Sequence, residues 1–241
     1  MNLILTMAGR YSRFINEGYK LPKFLLPWGD RTIVAVILTE LMREKKFKQV
    51  FLVANKRDEI YMPHIRCILD KLGISRDNLI LIQDTDGQAE TAAVGVEFLL
   101  KCGIKKNEPI VFHNIDTILY NRNISEAESN LAKYDGFIDV FNSNNRTYSY
   151  VLKRDDGFME TIAEKMVISN LATSGFYGFK SSKTYLEFYK KGKDMFISAV
   201  YKNMTDKGCK IAISNIHNEH DTLVLGTPAE YVNLALGLDE I

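Results

Sequence analysis

The chain has 241 residues, 46% of them hydrophobic and 25% charged, which suits a globular protein with a sizeable core and one domain or little more. Its 31 Lys and Arg against 30 Asp and Glu leave no global field to attract nucleic acid or an anionic membrane, so an anionic ligand must be held by a local constellation. The three cysteines, Cys67, Cys102 and Cys209, are far apart and form no C-x-x-C pair, which argues against a disulfide framework or a cysteine-based metal site and predicts a reducing, cytoplasmic setting.

The opening "MNLILTM" lacks a basic n-region and is too short for a signal h-region or a membrane span, so it reads as a strand. Residues 8–23 then form a loop. "TIVAVILTELMRE" (32–44) reads as a helix, "QVFLVAN" (49–55) as a strand, and the stretch from Arg57 to Leu72 as a second helix. "NLILIQ" (78–83), "ETAAVGVEFLLKCG" (90–103) and "PIVFHNID" (109–116) continue the alternation as strand, helix and strand. Strands apolar on both faces with helices between them predict an α/β fold, a mostly parallel, Rossmann-like sheet covered by helices. Ligands of such sheets bind beyond the carboxyl ends of the strands. The unusual polar residues of this half all follow strand ends: the 8–23 loop, "QDTDGQAET" and "HNID".

From residue 137 the character changes. "FIDVF" (137–141), "TYSYVLKRDDGFMETIAEK" (147–165) and "SGFYGF" (174–179) are aromatic and β-branched with glycine turns, which predicts an antiparallel β extension. Helical periodicity returns at 182–207, a strand at 210–214, and "TPAEYVNLALGL" (227–238) opens a helix with Thr227 as N-cap and Pro228 in its first turn. No repeat or linker divides the chain, so a single domain over residues 1–241 is expected.

A strand followed by a loop of small residues and bases, then a helix, suits phosphate binding, because backbone N–H groups and cationic side chains converge on one anion. Here the loop supplies Arg10, Arg13, Lys20 and Lys23. "AGRYSRF…LPKFLLPWGDRTI" resembles the signature loop of nucleotidylyltransferases that activate sugar 1-phosphates, roughly A-G-x-G-[ST]-R-[LF], a spacer, P-K, an apolar run and a glycine turn. Ala8, Gly9, Ser12, Arg13, Phe14, Pro22 and Lys23 match in place, and Tyr11 stands at the second glycine. The resemblance continues in order along nearly the whole chain. "IQDTDGQAETAAV" (82–94) is similar to the base-recognition segment, which implies Gln83 and Gly87 at the nucleobase. "FHNIDTIL" (112–119) is similar to the strand that ends in a metal-binding aspartate, here Asp116. "AEKMVISNLATSGFYGF" (163–179) resembles the segments that hold the sugar phosphate, which implies Glu164, Lys165, Thr173 and Ser174.

The resemblance therefore implies transfer of a nucleotidyl group from an NTP to a phosphate monoester, a sugar 1-phosphate, with pyrophosphate released and Mg²⁺ as cofactor. Residues 1–120 would be the nucleotide-binding half and 121–241 the acceptor-binding half. Arg13, Lys23 and Asp116 would be catalytic; Ala8, Gly9, Arg10, Tyr11 and Ser12 would line the triphosphate. The reaction unites two polyanions, so cations are needed on both the leaving and the attacking side, and direct in-line attack needs no protein nucleophile. Nucleic acid and membrane are not expected partners, and a homo-oligomer is left open. Base and acceptor also stay open, since the Gln83 amide suits uracil, thymine or cytosine. The alternatives are a cytidylyltransferase acting on a non-sugar phosphate such as phosphocholine, a glycosyltransferase holding metal through Asp84 and Asp86, and a catalytically impaired nucleotide-binding relative.

Two departures sharpen the expectations. The family usually ends in L-D-x-G-T-P with the aspartate as second metal ligand, whereas "LVLGTP" puts Val224 in that slot. The nearest carboxylate, Asp221, can replace it as metal ligand only if the strand starts late or bulges, because three residues along a strand reverses the facing. At Tyr11, an ordinary β or α backbone would tolerate the side chain and leave its ring to cover ribose or base. His217 and His220, with Glu219 and Asp221 beside them, read as a surface loop rather than a metal site.

Overall fold

Six residues open the chain as strand β1 (Asn2–Met7), and its side chains divide between two cores. Leu3, Leu5 and Met7 enter one hydrophobic cluster while Ile4 enters another, the alternation of a strand buried on both faces. The computed structural model describes residues 1–237, so Leu238, which closes the predicted final helical stretch, lies outside the described residues together with 239–241. After β1 come helix α1 (Ser12–Asn16), the ribbon β2 (Pro27–Trp28) and β3 (Arg31–Thr32), helix α2 (Ile33–Met42) and strand β4 (Gln49–Asn55). Helix α3 (Met62–Lys71), strand β5 (Leu79–Ile82), helix α4 (Gln88–Lys101) and strand β6 (Ile110–Asn114) complete the parallel part. Strand β1 pairs in parallel with β4 and β6, and β4 with β5, so their carboxyl ends share one edge.

The rest of the chain comprises β7 (Thr117–Leu119), α5 (Ile124–Leu131), β8 (Gly136–Asn142), β9 (Tyr150–Lys153), β10 (Met159–Ala163), β11 (Leu171–Phe179), α6 (Ser182–Phe188), α7 (Ile197–Thr205), β12 (Ile211–Ile213), β13 (Thr222–Val224) and α8 (Pro228–Leu236). The main sheet has nine strands, ordered β10-β9-β11-β6-β1-β4-β5, with β8 branching from β11 and β12 pairing with β8. Strand β11 joins the two parts: Ala172 pairs with Tyr150 of β9, and Phe176 pairs antiparallel with His113 of β6. Between these points its register with β8 shifts across Thr173 to Tyr177, and Gly175 sits there at φ 86, a left-handed conformation that glycine adopts without steric cost. No helix among the described residues is long and apolar enough to cross a membrane.

Two predicted helices resolve differently: the stretch from Arg57 to Leu72 begins as the 3-10 turn Lys56–Tyr61 and becomes α3 only at Met62. The helical run over 182–207 is two helices, interrupted where Gly192 takes φ 72 and Asp194 accepts a hydrogen bond from the Lys190 N–H at 2.7 Å. The segment FLLPWGD (24–30) completes a 3-10 turn (Lys23–Leu25) and forms the two-residue strand β2, with Pro22 before it and Pro27 within it.

Candidate active site

The carboxyl edge of β1, β5 and β6 opens into a cleft of about 800 Å³ whose walls include Ala8 to Arg13, Lys23, Asp84 to Gln88, Asn114, Asp116, Glu164, Thr173 and Ser174. Most of the predicted site residues therefore converge from distant parts of the sequence. Arg13 has no ion-pair partner among the described residues, so its guanidinium is uncompensated at the cleft wall. Lys23 opens the 3-10 turn behind Pro22 and places its ammonium 2.5 Å from Asp116 Oδ2, with the two side chains 16% and 23% exposed. Burial pushes the Asp116 carboxyl up, but the charge and hydrogen bond of Lys23 outweigh it and hold the group below the usual carboxylate range.

Asp116 follows β6 in the turn to β7, and a buried histidine braces that turn. His113 Nε2 donates to the Thr117 carbonyl oxygen at 2.7 Å, while burial pushes the imidazole down to about 4 and keeps it neutral. Opposite Asp116, Leu225 N–H donates to the Asp116 carbonyl oxygen at 2.7 Å, so β13 is clamped along β7.

On the other wall Glu164 Oε2 accepts from Ser149 and from Ser198, the latter at 2.9 Å, and the Thr173 and Tyr177 hydroxyls lie 3.1 Å apart. Tyr148, Tyr177 and Phe196 line this end of the cleft beside these hydroxyls and the carboxylate. Lys165 places its ammonium 5.2 Å from the centroid of Phe196, which lines the cleft. Gly175 is the one residue type that fits its place: a Cβ there would lie 2.7 Å from Asn114 Nδ2. Likewise a Cβ on Gly87 would overlap the Met195 carbonyl oxygen, which instead accepts from the Ala89 N–H at 3.1 Å and seats the start of α4.

No protein-family model and no curated protein matches the chain. Solved structures do. The nucleoside-diphosphate-sugar pyrophosphorylase from Vibrio cholerae RC9 superposes with a TM-score of 0.82 at 25% identity, covering 97% of this chain and 99% of that one. The fold is that of the sugar-phosphate nucleotidyltransferases. A glucose-1-phosphate thymidylyltransferase from Bacillus anthracis, 17% identical, gives a TM-score of 0.77 over 100% of this chain and 96% of that one. The inositol-1-phosphate CTP transferase from T. maritima, 14% identical, gives 0.69 over 98% and 95%. At such identities the last two speak for the fold alone.

Within this nucleotidyltransferase fold, two expectations need correction, those for Tyr11 and Asp221. Tyr11 is neither β nor right-handed α: it takes φ 38 and ψ 35, the conformation open to the glycine it replaces. Its hydroxyl donates to Asp58 Oδ1 at 2.6 Å, and burial followed by that hydrogen bond pushes the phenol up to about 12. Asp221 is not brought to Asp116. In the antiparallel register Val224 faces Thr117 and Thr222 faces Leu119, so Asp221 lies level with Tyr120, roughly 13 Å along the strand, with its carboxylate on Asn121 Nδ2 at 2.7 Å. Gln83 is exposed beside Asp84, and Gln88, five residues on, lines the cleft and donates to Asn114 Oδ1.

The residues that sequence reasoning passed over are Gln88, Asn114, Gly175 and Glu230, all at the cleft. The signals were present for two of them: Gln88 begins α4 directly after Gly87, and Glu230 stands three residues behind the Thr227 cap, where it completes a capping box. Asp84 is already engaged, accepting from Arg10 at 2.9 Å and Asn55 at 2.8 Å. His217 faces Asp139 at 3.5 Å, and no cluster of three or more His, Cys, Asp or Glu suited to a metal exists among the described residues.

Proposed function

We propose that the protein transfers a nucleotidyl group from an NTP to a sugar 1-phosphate, releasing pyrophosphate and forming a nucleotide-sugar. The observation that carries this reading is the meeting of Arg13, Lys23 and Asp116 with Glu164 in one cleft at the carboxyl edge of a parallel sheet. The likeness to the Vibrio cholerae pyrophosphorylase over both whole chains supports the same reaction. Residues 1–120 supply the phosphate loop and residues 121–241 the acceptor wall. Arg13 neutralises the triphosphate, and Lys23, drawn from Asp116 to the departing pyrophosphate, stabilises the charge that develops there. Glu164, Thr173 and Ser174 orient the sugar hydroxyls so that the phosphate oxygen attacks the α-phosphorus in line, and Lys165 guides the incoming anion.

The donor set fits Mg²⁺ as cofactor. Asp116 is an ionised carboxylate in the cleft wall, no group of three or more His, Cys, Asp or Glu suited to hold a metal exists among the described residues, and Mg²⁺ takes most of its ligands from phosphate oxygens and water. When bound, the ion would neutralise the α-phosphate region; Asp116 would hold it. Asp84 is a poor alternative ligand because Arg10, Arg57 and Asn55 already occupy it, which disfavours the glycosyltransferase reading. The substrates so proposed are water-soluble, in keeping with the cytoplasmic setting proposed for the protein. A pyrophosphate-release screen of the common NTPs against sugar 1-phosphates, inositol 1-phosphate and phosphocholine tests the proposal; release with no pair of substrates would overturn it.

A further inference from the structure

The phosphate loop holds a backbone conformation that its own sequence disfavours. Tyrosine rarely enters the left-handed region that Tyr11 occupies, because its Cβ crowds the carbonyl oxygen. What holds it there comes from another segment. Arg57 and Asp58 are consecutive residues of the 3-10 turn Lys56–Tyr61, immediately after β4. Asp58, fully buried, accepts the Tyr11 hydroxyl at 2.6 Å; Arg57 donates to the Gly9 carbonyl oxygen at 2.8 Å and lies 5.3 Å from the centroid of the Tyr11 ring. One turn thus grips the loop at two points, two residues apart. A buried carboxylate is costly unless its partners compensate it, and those of Asp58 are the loop tyrosine and Arg57, 3.5 Å away.

We infer that Asp58 is a positioning residue of the phosphate loop: it accepts the Tyr11 hydroxyl and seats Arg57, and so locks residues 9–13 in the one conformation that forms the cleft wall. Where the family pattern has a glycine that can take this conformation unaided, the chain uses a side-chain latch. The same Arg57 reaches Asp84 at 3.4 Å, and Arg10 joins it there at 2.9 Å, so the latch also ties the loop to the segment that opens α4. The inference rests on the nucleotidyl-transfer reading in taking a triphosphate as the ligand of this loop.

Inorganic tripolyphosphate with Mg²⁺, titrated calorimetrically, probes the loop without a base or an acceptor. Tyr11→Phe and Asp58→Ala are each expected to raise its Kd about tenfold, the loss of one hydrogen bond to a charged group. The double variant should be no worse than the poorer single, since both remove one contact. Asp58→Asn, whose amide oxygen can still accept the hydroxyl, should recover most of the affinity. Thermal melts accompany each titration, and Tyr11→Phe keeps the test open should Asp58→Ala fail to fold. A Kd within twofold of wild type in folded Tyr11→Phe, additive losses in the double variant, or a fall in Tm with unchanged Kd would each overturn the inference. So would a wild type that binds no tripolyphosphate. Coupled tripolyphosphate binding without pyrophosphate release from any NTP would instead sink the nucleotidyl-transfer reading and leave the latch standing.

Discussion

Replacing Lys23 by methionine removes the ammonium while keeping most of the side-chain volume, and it touches stability and catalysis through the same contact. The Lys23–Asp116 pair, 2.5 Å apart with side chains 16% and 23% exposed, lies between a surface ion pair and a buried one. Exposed pairs contribute about 0–1 kcal/mol and breaking a buried pair costs about 3–5, so Lys23→Met is expected to cost about 2 kcal/mol. In a chain of this size that lowers Tm by about 4–8 °C at neutral pH. The pH dependence carries a sign. In the wild type Asp116 titrates below its unfolded value, so its stabilisation is complete above that value and is lost as pH falls through the folded one. Without Lys23, burial becomes the dominant influence and raises the folded value above the unfolded one. The Tm deficit of the variant should then be larger at pH 7 than at pH 4. For turnover, loss of a preorganised cation at the departing pyrophosphate is expected to lower kcat/KM by about 10²- to 10³-fold. Pyrophosphate release and calorimetric melts measure both effects. A folded variant with near-normal turnover, or a Tm deficit independent of pH, would refute this account of Lys23.

Asp116→Asn should lower turnover about 10³-fold in the pyrophosphate assay, because it removes the charge and nearly keeps the shape, whereas Asp221→Asn should change it less than about twofold. Gln88→Ala should alter the ranking of NTPs by kcat/KM, by about tenfold for the preferred base, and Gln83→Ala should leave that ranking intact. Gly175→Ala should lower Tm by about 4–8 °C, corresponding to about 2 kcal/mol, because a Cβ would lie 2.7 Å from Asn114 Nδ2 on a backbone at φ 86.

The parallel half was legible because its signal is redundant. Leu3, Leu5 and Met7 alternate with Ile4 between two cores, and each core also holds helix residues whose spacing the sequence displays, such as Ile65 and Leu69 of α3 in one and Ala92 and Val96 of α4 in the other. Loops at the carboxyl edge then follow from the parallel arrangement itself, and Arg13, Lys23, Asp116 and Gly87, matched in those loops by the resemblance to the signature segments, line one cleft. The breaks within apolar stretches were less legible. Residues 189–196 separate two helices through a glycine at φ 72 and a side-chain hydrogen bond to Lys190 N–H, and neither disturbs the apolar periodicity enough to stand out.

At the site, what failed to show in the sequence was pairing register and backbone handedness, and both depend on distant contacts. Whether Asp221 reaches Asp116 turns on which residue of β13 faces Thr117; the sequence spacing alone allowed a late start or a bulge, and the register with β7 permits neither. The backbone at Tyr11 is a similar case. Local sterics favour an ordinary conformation there, and nothing within residues 7–14 points to the left-handed one. The stabilising partner, Asp58, lies 47 positions away in a turn whose own sequence reads as the beginning of a helix. A short sequence window can indicate that a loop is unusual, but the group that makes the unusual conformation tenable belongs to the tertiary structure. For that reason Tyr11 is better understood as one half of a contact with Asp58 than as a substituted glycine, and variants of either residue should be interpreted as a pair.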